Sequence, residues 1–243
     1  MRHFFLVIAV LLSGGAAADI LVPVTPNNLG PWRFGPNASP CGFGIAGAVS
    51  FVSGPGIPPL GNGSLQIDIP ADSPLSIFFG SALDGVPLTS ITELRYSTFT
   101  SVSTPAAVAP RLVLSIENPP APFDQIEFQP GPVVVGTWQT WDALAGSWKR
   151  LFGPPSPPTT LAAYAAAHPG AHLAAGPFGP GMAIVSGCDG NRMRASVDAF
   201  RVATGGPATV FDFEVFPTIP AFEPWLLALL AAALLIVGVH KLS

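Results

Sequence analysis

"GSLQIDIP", residues 63–70, sends Leu65, Ile67 and Ile69 to one side of an extended chain and Ser64, Gln66 and Asp68 to the other. Side chains alternate with period two only along a strand, so the stretch predicts a β-strand with one apolar and one wet face. The same alternation recurs in "RLVLSIE" (Leu112, Leu114, Ile116), "DQIEFQ" (Ile126, Phe128) and "TVFDFEVF" (Phe211, Phe213, Val215). Further strands are expected at 45–52, 75–79, 94–100, 133–141, 148–152, 182–185 and 196–202. About ten short strands divided by Gly/Pro turns predict an all-β, two-sheet antiparallel jelly-roll sandwich.

Composition agrees. The 243 residues hold 26 glycines and 29 prolines, about twice the usual share, and these punctuate apolar runs without forming a repeat. Hydrophobic residues make up 49% and charged residues 10%, the opposite of a disordered composition. A net charge of −4 with ten scattered Lys and Arg offers no basic stripe for phosphates, which excludes nucleic acid as the expected partner. One segment departs from the β pattern: "PPTTLAAYAAAHPG", 157–170, has Thr159 or Thr160 as an N-cap, a helix-forming Ala/Leu run and a Pro-Gly stop. It predicts one short surface helix.

The two ends read as targeting segments. "MRHFFLVIAVLLSGGAAADI" has a basic start, a nine-residue apolar run and small residues at Ala16 and Ala18, a signal peptide over 1–18 that leaves Asp19 as the mature N-terminus. "WLLALLAAALLIVGVHKLS" is uncharged from Trp225 to Val239 and predicts a single transmembrane helix with Lys241 on the cytoplasmic side. The remaining 19–216 form one β-sandwich ectodomain, and 217–243 the C-terminal segment. Ile219, Pro220 and Trp225, followed by a Leu/Ala-rich helix and a basic end, resemble the IPTL-CTERM sorting signal of Gram-negative surface proteins; Glu223-Pro224 suits the related PEP-CTERM signal equally. Ala221 and Phe222 depart from the first pattern. The resemblance implies an exported precursor held in the inner membrane through the bilayer, met there by a sorting protease or transpeptidase, and a mature protein at the cell surface or outside the cell.

The strands "SVDAFRVAT" and "TVFDFE" give the chain a pattern-level similarity to galactose-binding-like jelly rolls, and "GTWQTWDAL" to uncharacterised secreted bacterial domains. Those jelly rolls serve many carbohydrate-binding modules, so the resemblance implies a polysaccharide or extracellular-matrix partner.

No catalytic motif stands out. G-x-S-x-G is absent, and Glu93, Glu117, Glu127 and Asp142 are carboxylates without a defined pairing. His168 and His172 in "HPGAH" have a zinc-like spacing, but Pro169-Gly170 breaks the helix that would align them, so solvated loop histidines are expected. Asp189, Asn191 and Asp198 offer oxygen ligands without EF-hand spacing, an Asp-Gly-Asn turn being preferred to calcium. No metal and no cofactor is expected. Arg192 and Arg194 share a face and read as a solvated edge, with pairing to Asp198 or to a ligand as the alternative. Cys41 and Cys188, in an exported chain, are expected to form a disulfide.

Three of the five tryptophans fall in "GTWQTWDALAGSW", 136–148. Trp138 and Trp141 differ by three and face opposite ways on a strand. Trp138 shares its side with Asp142, so the two are the candidate binding surface, while Trp141 is expected in the core, paired with Trp148 if the two strands form a hairpin. The sequence thus predicts a non-catalytic surface protein for adhesion, matrix or glycan contact. A secreted glycan-active hydrolase and a purely structural envelope or biofilm component are the rivals.

Overall fold

The computed structural model describes residues 18–34, 48–70, 76–118, 121–151, 157–176, 179–187 and 192–216. These residues are mostly strand, in two curled sheets with one α-helix. In chain order the strands are β1 (Ile20–Val24), β2 (Trp32–Phe34), β3 (Ala48–Ser53), β4 (Gly63–Ile69), β5 (Ser76–Gly80), β6 (Glu93–Thr104), β7 (Arg111–Asn118), β8 (Ala121–Phe128), β9 (Trp138–Asp142) and β10 (Ser147–Arg150). Then come β11 (Thr159–Thr160), the helix α1 (Leu161–Ala167), β12 (His172–Leu173), β13 (Ala175–Gly176), β14 (Gly179–Pro180), β15 (Met182–Ser186), β16 (Arg192–Ala203) and β17 (Thr209–Phe213).

The first sheet joins β9, β6 and β16, with β4 and β3 beyond one half of β16 and β17 and β1 beyond the other. The second runs β11-β10-β8-β7-β15-β5-β2, and β12 also pairs with β7. The predicted alternation decides which faces meet. Leu65, Ile67, Phe200, Phe211 and Phe213 from the first sheet and Phe78, Leu112, Leu114, Ile116 and Ile126 from the second lie in one buried cluster. Trp32 sits at its centre, stacked on Phe78 at 5.1 Å and edge-on to Phe200, Phe211 and Phe213.

Three readings of the sequence change. The sandwich is not wholly antiparallel: β1 runs parallel to β17, from Ile20↔Thr209 to Val24↔Phe213. Nearly the whole chain separates these strands, so no tight turn imposes the antiparallel sense. The segment 133–137 is not strand: Val135 and Gly136 form a turn, with Gly136 at φ +82°, and the strand begins only at Trp138. Finally, β9 and β10 form no hairpin, because β9 pairs with β6 and β10 with β8 in the other sheet. The crossing between sheets is tight. Ala143 and Leu144 N–H both donate to the Leu94 carbonyl, and a Cβ on Gly146 would lie 2.2 Å from the Phe128 ring.

The helix forms as predicted, with the Thr160 hydroxyl accepting from Ala163 N–H at 3.2 Å. It is only half a surface helix, since Leu161, Tyr164 and Ala165 are buried. Among the described residues no helix is long and apolar enough to cross a membrane. The predicted signal-peptide run, the disulfide residues Cys41 and Cys188, and Ile219, Pro220 and Trp225 lie outside the described residues.

Candidate functional site

Trp138 and Asp142 share the outer face of the first sheet, as their parity requires. The register sets Trp138 opposite Phe99 and Asp142 opposite Arg95. Neither side chain is unoccupied. The Trp138 indole packs on Phe99 at 5.7 Å, and its Nε1 donates to the Pro55 carbonyl at 2.9 Å. Asp142 accepts from Arg95 Nη2 at 2.9 Å and from Ala145 N–H at 3.1 Å, closing the turn into β10. Trp141 lies half-buried against the core with Nε1 donating to Thr98 Oγ1, and Trp148 is fully buried with Nε1 donating to the Ala143 carbonyl.

Pro55 belongs to the loop 54–62, which folds over this outer face and makes part of the predicted wet side dry. Ser64 is buried, its hydroxyl donating to the Gly54 carbonyl. Leu60 packs on Ala203, Ala208 and Val210. Where β16 exchanges β4 for β17, a bulge holds Ala199 at φ +51° and turns Asp198 under the loop. Asp198 accepts from Leu60 N–H at 2.9 Å and Phe213 N–H at 3.2 Å, and Glu214 from Asn62 N–H at 2.6 Å. Burial pushes the Asp198 carboxyl up to about 7, against the pull of its backbone donors. Burial and then the Glu214 charge push Asp212 up to about 6. Among the described residues these three acids make no ion pair, and no three His, Cys, Asp or Glu side chains are arranged to hold a metal. Asp189 and Asn191 lie outside the described residues.

A concave site forms elsewhere, where the mouth of the sandwich meets α1. A cavity of about 240 Å³ is lined by Ile126, Trp148, Arg150, Thr159, Tyr164 and His168, together with Pro157 and two helix alanines, Ala163 and Ala167. Its polar frame follows from strand register. Asp124 has the parity of Ile126 and Phe128, which places a carboxylate on the core face of β8; Arg150, opposite Ile126, reaches over it from β10. Asp124 Oδ2 accepts from Arg150 Nε at 2.9 Å and from the Tyr164 hydroxyl at 2.7 Å, and Oδ1 from Gln125 N–H at 2.9 Å. Burial and the bond to Asp124 hold the Tyr164 phenol well above its ordinary range, so it remains a donor. His168, at the C-cap of α1, lays its ring 4.5 Å from that of Tyr164.

The sequence reading passed over this site. Two signals were present: a carboxylate at the apolar parity of "FDQIEF", and Tyr164 and His168 four apart on one helix face. The other candidates are brought to separate places. His172 pairs with Glu117 at 3.2 Å, away from His168. Arg194 pairs with Asp68, and not with Asp198; β16 is an interior strand. Glu93 holds Arg201 at 2.9 Å, and Glu127 lies between Arg111 and Lys149 at 3.0 and 3.1 Å.

No family model matches the chain, and no curated protein or solved structure matches it either.

Proposed function

We propose that this is an exported, surface-anchored β-sandwich protein that holds a glycan or extracellular-matrix component without chemically changing it. The cavity beside α1 carries the reading. It is concave, floored by apolar side chains and edged by a few polar groups held in place by the ion pair of buried Asp124 with exposed Arg150, the usual composition of a small-ligand site. The exposed apolar lining, Pro157, Ala163 and Ala167, suits the C–H face of a sugar ring, and fixed hydrogen-bonding groups at the rim suit its oxygens.

The targeting reading is compatible with the fold. Cleavage after Ala18 spares Asp19, whose carboxylate accepts from Arg201 Nη2 at 2.9 Å, and Ile20, which opens β1. In this reading the sandwich is a jelly roll of the galactose-binding-like kind, Cys41 and Cys188 are joined, and 217–243 supply a transmembrane helix and sorting signal read by a membrane protease or transpeptidase.

The test uses the full chain, purified in a sugar-free detergent, on an array of bacterial and plant polysaccharides, with reducing ends measured after incubation. Retention on at least one polysaccharide with no rise in reducing ends is expected. A rise in reducing ends would turn the reading to the glycan-active hydrolase, and retention on none to the structural envelope role.

A further inference from the structure

Resting on that reading, we infer that the cavity beside α1 is selective for a small carboxylate, supplied by one uronic-acid unit of an acidic glycan, with Arg150 as its principal donor. The inference comes from counting which polar atoms at the rim remain available. Among the described residues Asp124 is the one acid that meets the Arg150 side chain, and both of its oxygens are engaged, by Arg150 Nε, the Tyr164 hydroxyl and Gln125 N–H. That leaves the two terminal nitrogens of Arg150 without another partner among the described residues, on a side chain 39% exposed. They form a fork whose plane is fixed by the bond at Nε, and such a fork matches the two oxygens of a carboxylate.

His168 adds a second donor. Its ring is held against Tyr164 and its nitrogens have no hydrogen-bond partner among the described residues. The Arg150 fork presents N–H donors only. A neutral sugar offers the fork only uncharged hydroxyl oxygens, whereas the carboxylate of a uronate presents two charged acceptors in one plane. The nearest other cation, Lys149, points to the opposite side of its strand and is engaged by Glu127 and Gln129.

Size narrows the class further. About 240 Å³ is below the roughly 300–1,000 Å³ of sites for drug-sized ligands, so one ring enters and not a chain. Pro157, Ala163 and Ala167, exposed along the rim, meet the ring's apolar body.

The experiment titrates the full chain, in a sugar-free detergent, with galacturonate, digalacturonate, galactose and pentanoate. Three proteins are compared: wild type, Arg150→Ala and Ala163→Leu. Arg150→Ala removes the fork but exposes Asp124 to loss of its partner, so Ala163→Leu, an exposed helix position that fills the cavity, keeps the test independent of folding. Galacturonate and digalacturonate are expected to bind at least tenfold more tightly than galactose and pentanoate, and each variant to lose at least tenfold. Galactose binding as tightly as galacturonate would overturn the carboxylate selectivity while leaving glycan binding intact. Pentanoate binding as tightly as galacturonate would support the carboxylate site and remove the glycan reading beneath it. Uronate binding unchanged in Ala163→Leu, or absent from wild type, would overturn the assignment.

Discussion

Trp138 and Pro55, 83 residues apart in the chain, are joined by a 2.9 Å hydrogen bond from the indole nitrogen to the proline carbonyl. The bond fastens the loop 54–62 to the outer face of the first sheet, where Phe99 supports the ring from below. A tryptophan that looked like a display surface is thereby a latch.

The three clustered tryptophans should rank by what each ring contacts. Trp148→Ala leaves a cavity in a fully buried site and should cost about 3–5 kcal/mol, whereas Trp138→Ala loses one hydrogen bond and half-buried area, about 1–2 kcal/mol. Trp141→Ala should fall between them. Urea midpoints measure the order; a Trp138→Ala loss equal to that of Trp148→Ala contradicts it.

The acids beneath the same loop set a pH dependence. Asp198 rises to about 7 in the fold from an ordinary value of 3.8, so between those limits the folded protein binds a proton that the unfolded chain has released. Asp212, raised to about 6, acts in the same sense. Stability should therefore decline as pH rises from about 4 to about 7 and level off above. The groups that face Asp198 are the Leu60 and Phe213 N–H donors and the Asp212 charge, with no cation among the described residues to reverse the sign. Denaturant midpoints at pH 5 and 8 check this, and Asp198→Asn should flatten the difference. Greater stability at pH 8 contradicts it.

Gly61 is the tightest point of the loop. A Cβ there would lie 1.5 Å from Glu214 Oε1, and φ is +50°. Gly61→Ala should displace the Glu214 carboxylate from Asn62 and cost more than Gly205→Ala, where φ is +84° but nothing lies within 4 Å and only the backbone cost of about 1 kcal/mol applies. Equal losses in the two variants would show that the loop is not pressed against Glu214.

At the other site, Tyr164→Phe removes one of the donors that satisfy buried Asp124 and should cost about 1–3 kcal/mol, while Thr160→Ala removes the cap of α1 for about 1 kcal/mol. The two separate in a binding assay. Tyr164→Phe should weaken a bound uronate through the loosened Arg150, and Arg150→Lys should not restore it; Thr160→Ala should leave affinity within twofold.

Much of the sandwich was legible because alternation reports burial directly: Leu65, Ile67 and Ile69 in β4, and Phe211 and Phe213 in β17, point to the core as their parity requires. The same rule failed on the other face. Ser64, Asp212 and Glu214 take the wet parity, yet all are buried, because period two tells which side a residue takes and not whether a distant loop covers it. Trp148 was placed correctly in the core by the wrong partner, since the four-residue link 143–146 between strands suits a hairpin and a sheet crossing alike. The cavity beside α1 was missed for a related reason. Asp124 comes from one strand, Arg150 from another and Tyr164 from the helix, and only the register brings them together.

The most direct test of the central claim compares wild type with Ala163→Leu, both as full chains, on the same polysaccharide array. The account predicts that the wild type is retained on an acidic polysaccharide and that Ala163→Leu, equally folded by its circular dichroism and urea midpoint, is retained at least tenfold less. Equal retention of the two proteins would contradict it, because the glycan would then bind somewhere other than the cavity beside α1.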